Sequence, residues 1–207
     1  MTAGTRVAVK GRATRDAILE EAVDASSELG LDGLTVGVLA ARIGMSKSGL
    51  YAHFASKEDL QCAVLDAAAE QFARTVLRPA FAAPRGRPRL ESLFEFWLRW
   101  ENDGHSGGCP FLAAAADFDD RPGAVRDRIA MYLNAQNDVL RKAAAIAIDE
   151  GHFDPAISVE QFAFDYWGIL LAYQQYARLL DKADAGERAR GALTSLLDRA
   201  SATRSPT

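Results

Sequence analysis

The chain is poor in the residues that build disulfide frameworks and metal sites. It contains two cysteines and three histidines among 207 residues. Cys62 and Cys109 lie far apart in sequence, which argues against a framework of paired cysteines and favours a reducing, cytoplasmic environment. The cysteines and histidines do not follow the spacing of zinc ligands, so the sequence predicts neither a metal site nor any other cofactor.

Long apolar segments and catalytic motifs are also missing. No apolar run approaches the roughly 18 residues of a membrane-spanning helix, so we expect no membrane partner, and no signal peptide is recognisable. The sequence has no glycine loop of the phosphate-cradling kind and no Gly-x-Ser-x-Gly motif. Cys109 has only His105 near it in sequence as a base, which favours a simple thiol. The sequence therefore predicts a protein that is not an enzyme and has no catalytic residues.

Acidic residues are absent from one stretch of an otherwise acidic chain. The net charge is −4 and 28 residues are Asp or Glu, yet none occurs between Thr35 and Lys57. Residues 1–15 lack acids as well, and their basic side chains are Arg6, Lys10, Arg12 and Arg15. Basic charge is thus concentrated near one end of the chain, a distribution that suits a polyanion such as DNA.

Two short helices separated by a glycine are predicted within this acid-free stretch. Thr35 can cap the first helix, which extends to about Arg42 and turns one apolar face inward. Gly44 is the turn residue, and Ser46 can cap a second helix that extends to Phe54. This spacing is typical of a helix-turn-helix, whose second helix enters a DNA major groove. Inward positions of the pair are Val36, Leu39, Ala40, Leu50 and Phe54.

At these residues the chain resembles the DNA-binding domain of the TetR family of transcriptional regulators. The resemblance covers roughly residues 13 to 62. Gly37 departs from the family pattern, in which many members carry a polar or charged residue there. The matching positions are Thr35, Ala41, Gly44, Met45, Ser46, Tyr51, His53, Phe54, Ser56, Lys57, Glu58 and Leu60.

The resemblance implies that the partner is double-stranded DNA with a palindromic operator. Base edges in the major groove are expected to meet Lys47, Ser48, Tyr51 and His53, and phosphates are expected to meet Thr35 and Lys57. The predicted DNA-binding set is Thr35, Ser46, Lys47, Ser48, Gly49, Tyr51, His53 and Lys57.

The whole chain is predicted to be all-α, since no segment shows sustained period-two alternation. Residues 1–56 are expected to form a three-helix, helix-turn-helix DNA-binding domain with a basic N-terminal arm. Residues 57–202 are expected to form a helical effector-binding and dimerisation domain. Predicted helices outside the motif cover residues 14–29, 57–81, 90–102, 111–118, 122–149, 158–180 and 185–199, with a break at 104–110.

The helix predicted at 158–180 is apolar on more than one side and must be covered on both. A fully buried helix of a monomer would satisfy this pattern. The resemblance instead implies a homodimer, because TetR-like proteins pair through their last two helices. The residues predicted to form the dimer interface are Phe162, Tyr166, Ile169, Tyr173, Leu193 and Leu197.

Large aromatic side chains are concentrated in the middle of the chain. Apolar cavities between helices are common ligand sites, although aromatic residues at helical spacing are also typical of an ordinary core. Both interpretations stand for each residue. The predicted effector-binding set is Phe94, Trp97, Trp100, His105, Cys109, Phe111, Met131 and Trp167.

Together these observations predict a DNA-binding transcriptional regulator. We expect a cytoplasmic homodimeric repressor that a small apolar effector releases from its operator. The alternative is a helical small-molecule carrier or enzyme that does not bind DNA, although such a protein has no reason to contain the ordered motif from Thr35 to Leu60.

Overall fold

The computed structural model describes the backbone of residues 3–201 and the side chains of residues 14–201. Within that range every regular element is helical and no strand occurs, which confirms the predicted all-α class. The helices are α1 Ala3–Gly33, α2 Val36–Ile43, α3 Lys47–Tyr51, α4 Lys57–Phe72, α5 Arg78–Ala80, α6 Arg87–Asp103, α7 Pro110–Phe118, α8 Ala124–Asp149, α9 Val159–Gln174 and α10 Ala185–Ser201. One π-helical turn, Ala73–Leu77, joins α4 to α5, and another, Gln175–Leu179, follows α9.

Helix α1 begins earlier than predicted, because residues 3–13 contain no proline to prevent a helical backbone. Its predicted end at Gly30 is a break, with φ 72° and ψ 155°. Leu29, at the end of the predicted helix, is 47% exposed, whereas Leu31 and Leu34 beyond the break are buried. The side chains of the predicted basic arm before Thr14 lie outside the described residues.

The predicted second helix of the motif is also shorter than expected. Helix α3 ends at Tyr51. The amides of His53 and Phe54 both donate to the carbonyl of Leu50, at 2.9 and 3.2 Å. The bond from His53 spans three residues, so the chain tightens there and leaves the α-helical path.

The chain divides into two compact units, which do not coincide with the predicted division at residue 56. The N-terminal unit contains residues 3–72 and Asn102–Tyr132, and the C-terminal unit contains Ala73–Glu101 and residues 133–201. The assignment of residues 1–56 and 57–202 to DNA binding and to effector binding stays a prediction.

The N-terminal unit is built around α1, which contacts α2, α4 and α7. Its core consists of aliphatic side chains and buried phenylalanine rings, so the helix-turn-helix has a rigid apolar support. Fully or almost fully buried residues of this core include Ala22, Val23, Leu31, Leu34, Leu39, Leu50, Phe54, Leu60 and Val64.

In the C-terminal unit, Tyr166 of α9 joins aromatic rings from two helices. Its ring meets Phe94 of α6 edge-on at a centroid distance of 5.9 Å, and Phe162 lies 6.2 Å away. The phenol donates a hydrogen bond of 3.0 Å to the backbone carbonyl of Leu90. Burial raises the pKa of Tyr166 well above its ordinary value, so the hydroxyl stays a donor.

Replacing Tyr166 with Phe tests this hydrogen bond. Tyr166→Phe keeps the ring but leaves the Leu90 carbonyl without its donor, so the free energy of unfolding should fall by about 1 kcal/mol in urea titration. Tyr51→Phe is the matched control, because Tyr51 is 58% exposed and should leave stability unchanged. Equal stability of the two variants would contradict a contribution from the buried hydroxyl.

Candidate nucleic-acid interface

Both helices of the motif carry the side-chain caps that the sequence predicted. The hydroxyl of Thr35 accepts a hydrogen bond of 3.1 Å from the amide of Val38 at the start of α2. The hydroxyl of Ser46 accepts one of 3.1 Å from the amide of Gly49 at the start of α3. Each cap satisfies an amide that the first helical turn leaves unpaired, which fixes where the two helices begin.

The turn between α2 and α3 depends on Gly44. Its φ of 68° and ψ of 26° are left-handed, and its amide donates to the carbonyl of Ala40. A Cβ here would meet nothing within 4 Å, so backbone strain alone favours glycine.

Helix α3 presents polar side chains on the side away from the core. Leu50 is buried on the inner side, while Lys47, Ser48 and Tyr51 are exposed. Ser46 and Ser48 are joined through their hydroxyls at 3.1 Å. The exposed set combines a cation, a hydroxyl and an amphipathic ring, which are groups that contact phosphates and base edges.

Two further predicted residues have defined roles in local packing. Gly49 is half-buried, and a Cβ there would lie 3.2 Å from the Ser46 hydroxyl, so glycine leaves room for the cap. His53 is half-buried in the turn after α3, where its carbonyl accepts a hydrogen bond of 3.4 Å from Arg15 of α1. The same guanidinium lies 4.5 Å from the centre of the Phe54 ring. Sequence reasoning counted Arg15 only as a member of the basic arm and missed this contact.

The outer surface of the motif is less basic than the sequence indicated, because Arg42 is held by acids of α1. Its guanidinium nitrogens lie 2.5 Å from Glu21, 2.7 Å from Asp24 and 2.7 Å from Glu28. The bond to Glu28, and then that to Glu21, raise the pKa of Arg42 further above its ordinary value. Residues 21, 24 and 28 follow helical spacing, so a charged stripe on α1 was visible in the sequence.

Lys57, the predicted phosphate ligand on α4, is also paired. Its ammonium lies 2.6 Å from the backbone carbonyl of Asp32 and 3.0 Å from the carboxylate of the same residue. Arg121 contacts that carboxylate at 2.9 Å. The hydrogen bond from Arg121, and then that from Lys57, hold the pKa of Asp32 below its ordinary value. A phosphate at Lys57 would have to compete with this carboxylate, so Lys47 is the more available cation.

Two family models match the chain, one over the helix-turn-helix and one over the C-terminal part. The model "Bacterial regulatory proteins, tetR family" matches residues 18–63, which contain α2, α3 and the start of α4. The model "Tetracyclin repressor-like, C-terminal domain" matches residues 86–193, more than half of the chain.

The chain belongs to the TetR family of bacterial regulatory proteins. It therefore has a DNA-binding helix-turn-helix near its N-terminus and a helical C-terminal domain of the family type. This assignment favours the transcriptional regulator over the carrier or enzyme that the sequence left as the alternative. No curated protein matches the chain.

Solved structures of TetR-family regulators share the fold over most of their length. One from Chloroflexus aurantiacus has a TM-score of 0.81 and 24% identity, covering 91% of this chain and 94% of its own. One from Cytophaga hutchinsonii has a TM-score of 0.81 and 19% identity, covering 94% and 98%. AibR in complex with isovaleryl coenzyme A and operator DNA has a TM-score of 0.71 and 23% identity, covering 88% and 98%. Identities this low indicate a shared fold alone.

The predicted effector residues are divided between the two units of this TetR-family chain. Phe94, Trp97, Trp100 and Trp167 belong to the C-terminal unit, whereas His105, Cys109, Phe111 and Met131 belong to the N-terminal unit. Phe94, Trp97, Trp100, Cys109 and Phe111 are buried, Trp167 and His105 are half-buried, and Met131 is exposed. Desolvation lowers the pKa of His105, so its imidazole favours the neutral form.

Buried polar atoms of the C-terminal unit without a hydrogen-bond partner among the described residues include Arg89 Nε, Gln136 Oε1 and the indole nitrogen of Trp97. The indole nitrogen of Trp97 is fully enclosed, although its ring stacks edge-on against Tyr173 at 6.2 Å. Buried donors are rarely left unpaired, because the loss of solvation is costly. Trp97 therefore differs from Tyr166, whose buried hydroxyl has a hydrogen-bond acceptor in the Leu90 carbonyl.

The predicted dimer residues lie mostly inside the subunit. Phe162, Tyr166, Tyr173, Leu193 and Leu197 are buried by their own chain, so little of their surface remains for a partner, and Ile169 is half-buried. The apolar surface that α9 leaves open includes residues that were not predicted for the interface, beside the predicted Ile169 and Tyr173. It includes Phe164, which is 72% exposed, and Leu171.

A groove of about 630 Å³ runs between α9 and α10 on this open side. Its walls are mostly small or apolar, and the lining residues include Phe164, Gly168, Ile169, Ala172, Tyr176, Ala189 and Ala192. Small residues let another helix approach closely, which is the shape that helix-on-helix packing needs.

The described residues offer neither a membrane-spanning helix nor a cluster of metal ligands. None of the helices between residues 3 and 201 combines the length and apolar character that crossing a bilayer requires. Among the described side chains, no group of three or more His, Cys, Asp or Glu residues is arranged to hold a metal ion.

Proposed function

We propose that this TetR-family regulator is a homodimeric repressor that leaves its operator when a small effector binds. The observation that carries the proposal is the capped helix α3, which exposes Lys47, Ser48 and Tyr51 beside a rigid core. An α-helix with its side chains is about 10–12 Å in diameter, so α3 can enter a major groove about 12 Å wide.

Three groups on the motif suit three different contacts. Lys47 extends from the first turn of α3 and can bind a phosphate or a guanine edge. Tyr51 presents a ring and a hydroxyl to the same groove, and the Thr35 hydroxyl can donate to a phosphate while it caps α2. His53 is partly covered, so its contribution is the smallest of the predicted groove residues.

We predict that Lys47→Gln and Tyr51→Ala weaken binding to a duplex selected from a random pool. Loss of Lys47 removes a cation from the phosphate backbone, so the slope of log affinity against log salt should fall by about 1. Loss of Tyr51 should reduce affinity about fivefold or more with little change in that slope. Fluorescence anisotropy over a series of salt concentrations measures both quantities.

Lys142→Gln is the matched control for the Lys47 variant. Lys142 is an exposed lysine on α8, far along the chain from the motif. Lys142→Gln changes the net charge by the same amount as Lys47→Gln. If both lysine variants behave alike, the effect belongs to net charge and α3 is not the DNA-binding helix.

A second copy of the chain is the proposed occupant of the groove between α9 and α10. A palindromic operator needs two recognition helices related by a twofold axis, and a twofold interface presents the same patch on both subunits. The groove offers small residues and the exposed ring of Phe164, which can serve as an anchor in the partner's groove.

We predict that Ala172→Glu yields monomers. The new carboxylate would be buried unpaired at the interface of two identical subunits, which is strongly unfavourable. Sedimentation velocity at micromolar concentration measures the change. Ala145→Glu, the same change at an exposed alanine of α8, should remain dimeric. A monomeric wild-type protein would contradict the proposed interface.

The proposed effector site lies in the C-terminal unit around Trp97. The buried indole donor would gain a partner from a ligand that is apolar and carries a hydrogen-bond acceptor, and this would offset its desolvation. The similar regulator AibR has been solved with isovaleryl coenzyme A and operator DNA together, so a fold of this kind can engage both.

We predict that small apolar carbonyl compounds bind this site and lower DNA affinity. All three tryptophans belong to the C-terminal unit, so intrinsic fluorescence reports that unit alone. Trp97→Phe keeps most of the ring area but removes the donor, and it should weaken binding of a compound found by thermal-shift screening by about fivefold. A compound that binds both proteins equally is not held by the indole nitrogen, and one that binds tightly without affecting DNA affinity is not an effector.

A further inference from the structure

The segment between α6 and α7 is attached to α1 by several independent contacts. The backbone amide of Ser106 donates to the Asp24 carboxylate at 2.8 Å, and the Ser106 hydroxyl lies 3.2 Å from its other oxygen. The amide of Gly107 donates to the Ser27 hydroxyl at 2.8 Å. We call residues 104–109 the α6–α7 loop.

Gly107 shows how closely this loop approaches the helix. A Cβ built at Gly107 would lie 2.0 Å from both the carbonyl carbon and the carbonyl oxygen of Ser27, and 2.4 Å from the amide nitrogen of Glu28. All three atoms belong to the backbone of α1 and cannot move aside as a flexible side chain can. Only glycine allows the loop to dock at this distance.

Asp24 is shared between this loop and the helix-turn-helix. The oxygen that faces the Ser106 hydroxyl also receives a hydrogen bond of 2.7 Å from Arg42 of α2. Glu21 and Glu28 hold the other guanidinium nitrogens of Arg42. The carboxylate of Asp24 therefore connects the loop to the helix that precedes the recognition helix.

We propose that Asp24 is a positioning residue for DNA binding, which holds α2 through Arg42 and is itself held by the α6–α7 loop. Docking of the loop then sets the affinity for DNA without any contact between the loop and DNA. The proposal rests on the proposed DNA-binding function, and it gives Arg42 a task other than phosphate binding.

The charges support this task for Arg42. Three carboxylates surround one guanidinium, so the cluster is net negative and a DNA phosphate would be repelled from it. The amide and the hydroxyl of Ser106 both bond the Asp24 carboxylate, which gives Arg42 a fixed anchor. When the loop undocks, Asp24 loses its contacts with Ser106 and α2 is held less firmly against α1.

Gly107→Ala is the direct test, because the added methyl group collides with the α1 backbone and prevents docking. DNA affinity should fall about threefold or more at a temperature well below unfolding, with the salt slope unchanged because no phosphate contact is lost. Gly191→Ala on α10 is the matched control, since a Cβ there meets nothing within 4 Å. Unchanged affinity in Gly107→Ala would overturn the proposal.

A double-mutant cycle between Ser106→Ala and Arg42→Gln tests the route through Asp24. Each change alone should weaken DNA binding, and Ser106→Ala should have no further effect once Arg42 has been replaced. Additive effects would overturn the shared-carboxylate route. A fall in the salt slope of Arg42→Gln by about 1 would instead identify Arg42 as a phosphate ligand and would equally overturn the proposal.

Hydrogen exchange separates failure of this proposal from failure of the DNA-binding function. The amides of residues 36–43 should exchange faster in Gly107→Ala than in the wild type or in Gly191→Ala, with no DNA present. Unchanged exchange in α2 contradicts the positioning role whatever the protein binds. Faster exchange in a protein that binds no DNA duplex would support the positioning role of Asp24 and reject the proposed function.

Discussion

The ion pairs between Arg42 and the acids of α1 are the constraint on which the DNA-binding half depends. The recognition helix α3 has five residues and one buried side chain, so its own packing fixes it only weakly. Helix α2 and the turn at Gly44 must carry it, and α2 is held against α1 by Leu39 in the core and by Arg42 at the surface. Geometry set at α1 thus passes to α3 through the short helix α2 and the turn at Gly44.

This arrangement also explains how a protein of net charge −4 can present a DNA-binding surface. The acids nearest the motif are engaged, since Glu21 and Glu28 face Arg42 and Asp32 faces Lys57 and Arg121. The cation on α3, Lys47, is exposed, and the described side chains include no acid in a salt bridge with it. The two cations on Asp32 compensate its charge, whereas the three acids around Arg42 leave that cluster net negative, so Lys47 is the cation available to a phosphate.

The features of the helix-turn-helix that were predicted correctly depend on residues close together in sequence. The caps at Thr35 and Ser46, the left-handed turn at Gly44 and the buried Leu50 each depend on residues within a few positions, and the structure has all of them. The anchoring of Arg42 and the end of α3 were missed, because they depend on partners packed from elsewhere in the unit. The dimer residues predicted on α9 stay a prediction, since two apolar sides of one helix look alike in sequence until the subunit core covers one of them.

Helix α6 contains Trp97 and leads directly into the α6–α7 loop. Trp97 lies in its second half, and its buried indole nitrogen has no hydrogen-bond partner among the described residues, whereas the buried hydroxyl of Tyr166 donates to the Leu90 carbonyl. Six residues after Trp97 the helix ends at Asp103, and the next residues form the loop that holds Asp24. A helix transmits a displacement along its axis with little loss, because its backbone hydrogen bonds resist local change. In the proposed function, a ligand that bonds Trp97 and displaces α6 would therefore also displace the start of the α6–α7 loop, which bonds Asp24.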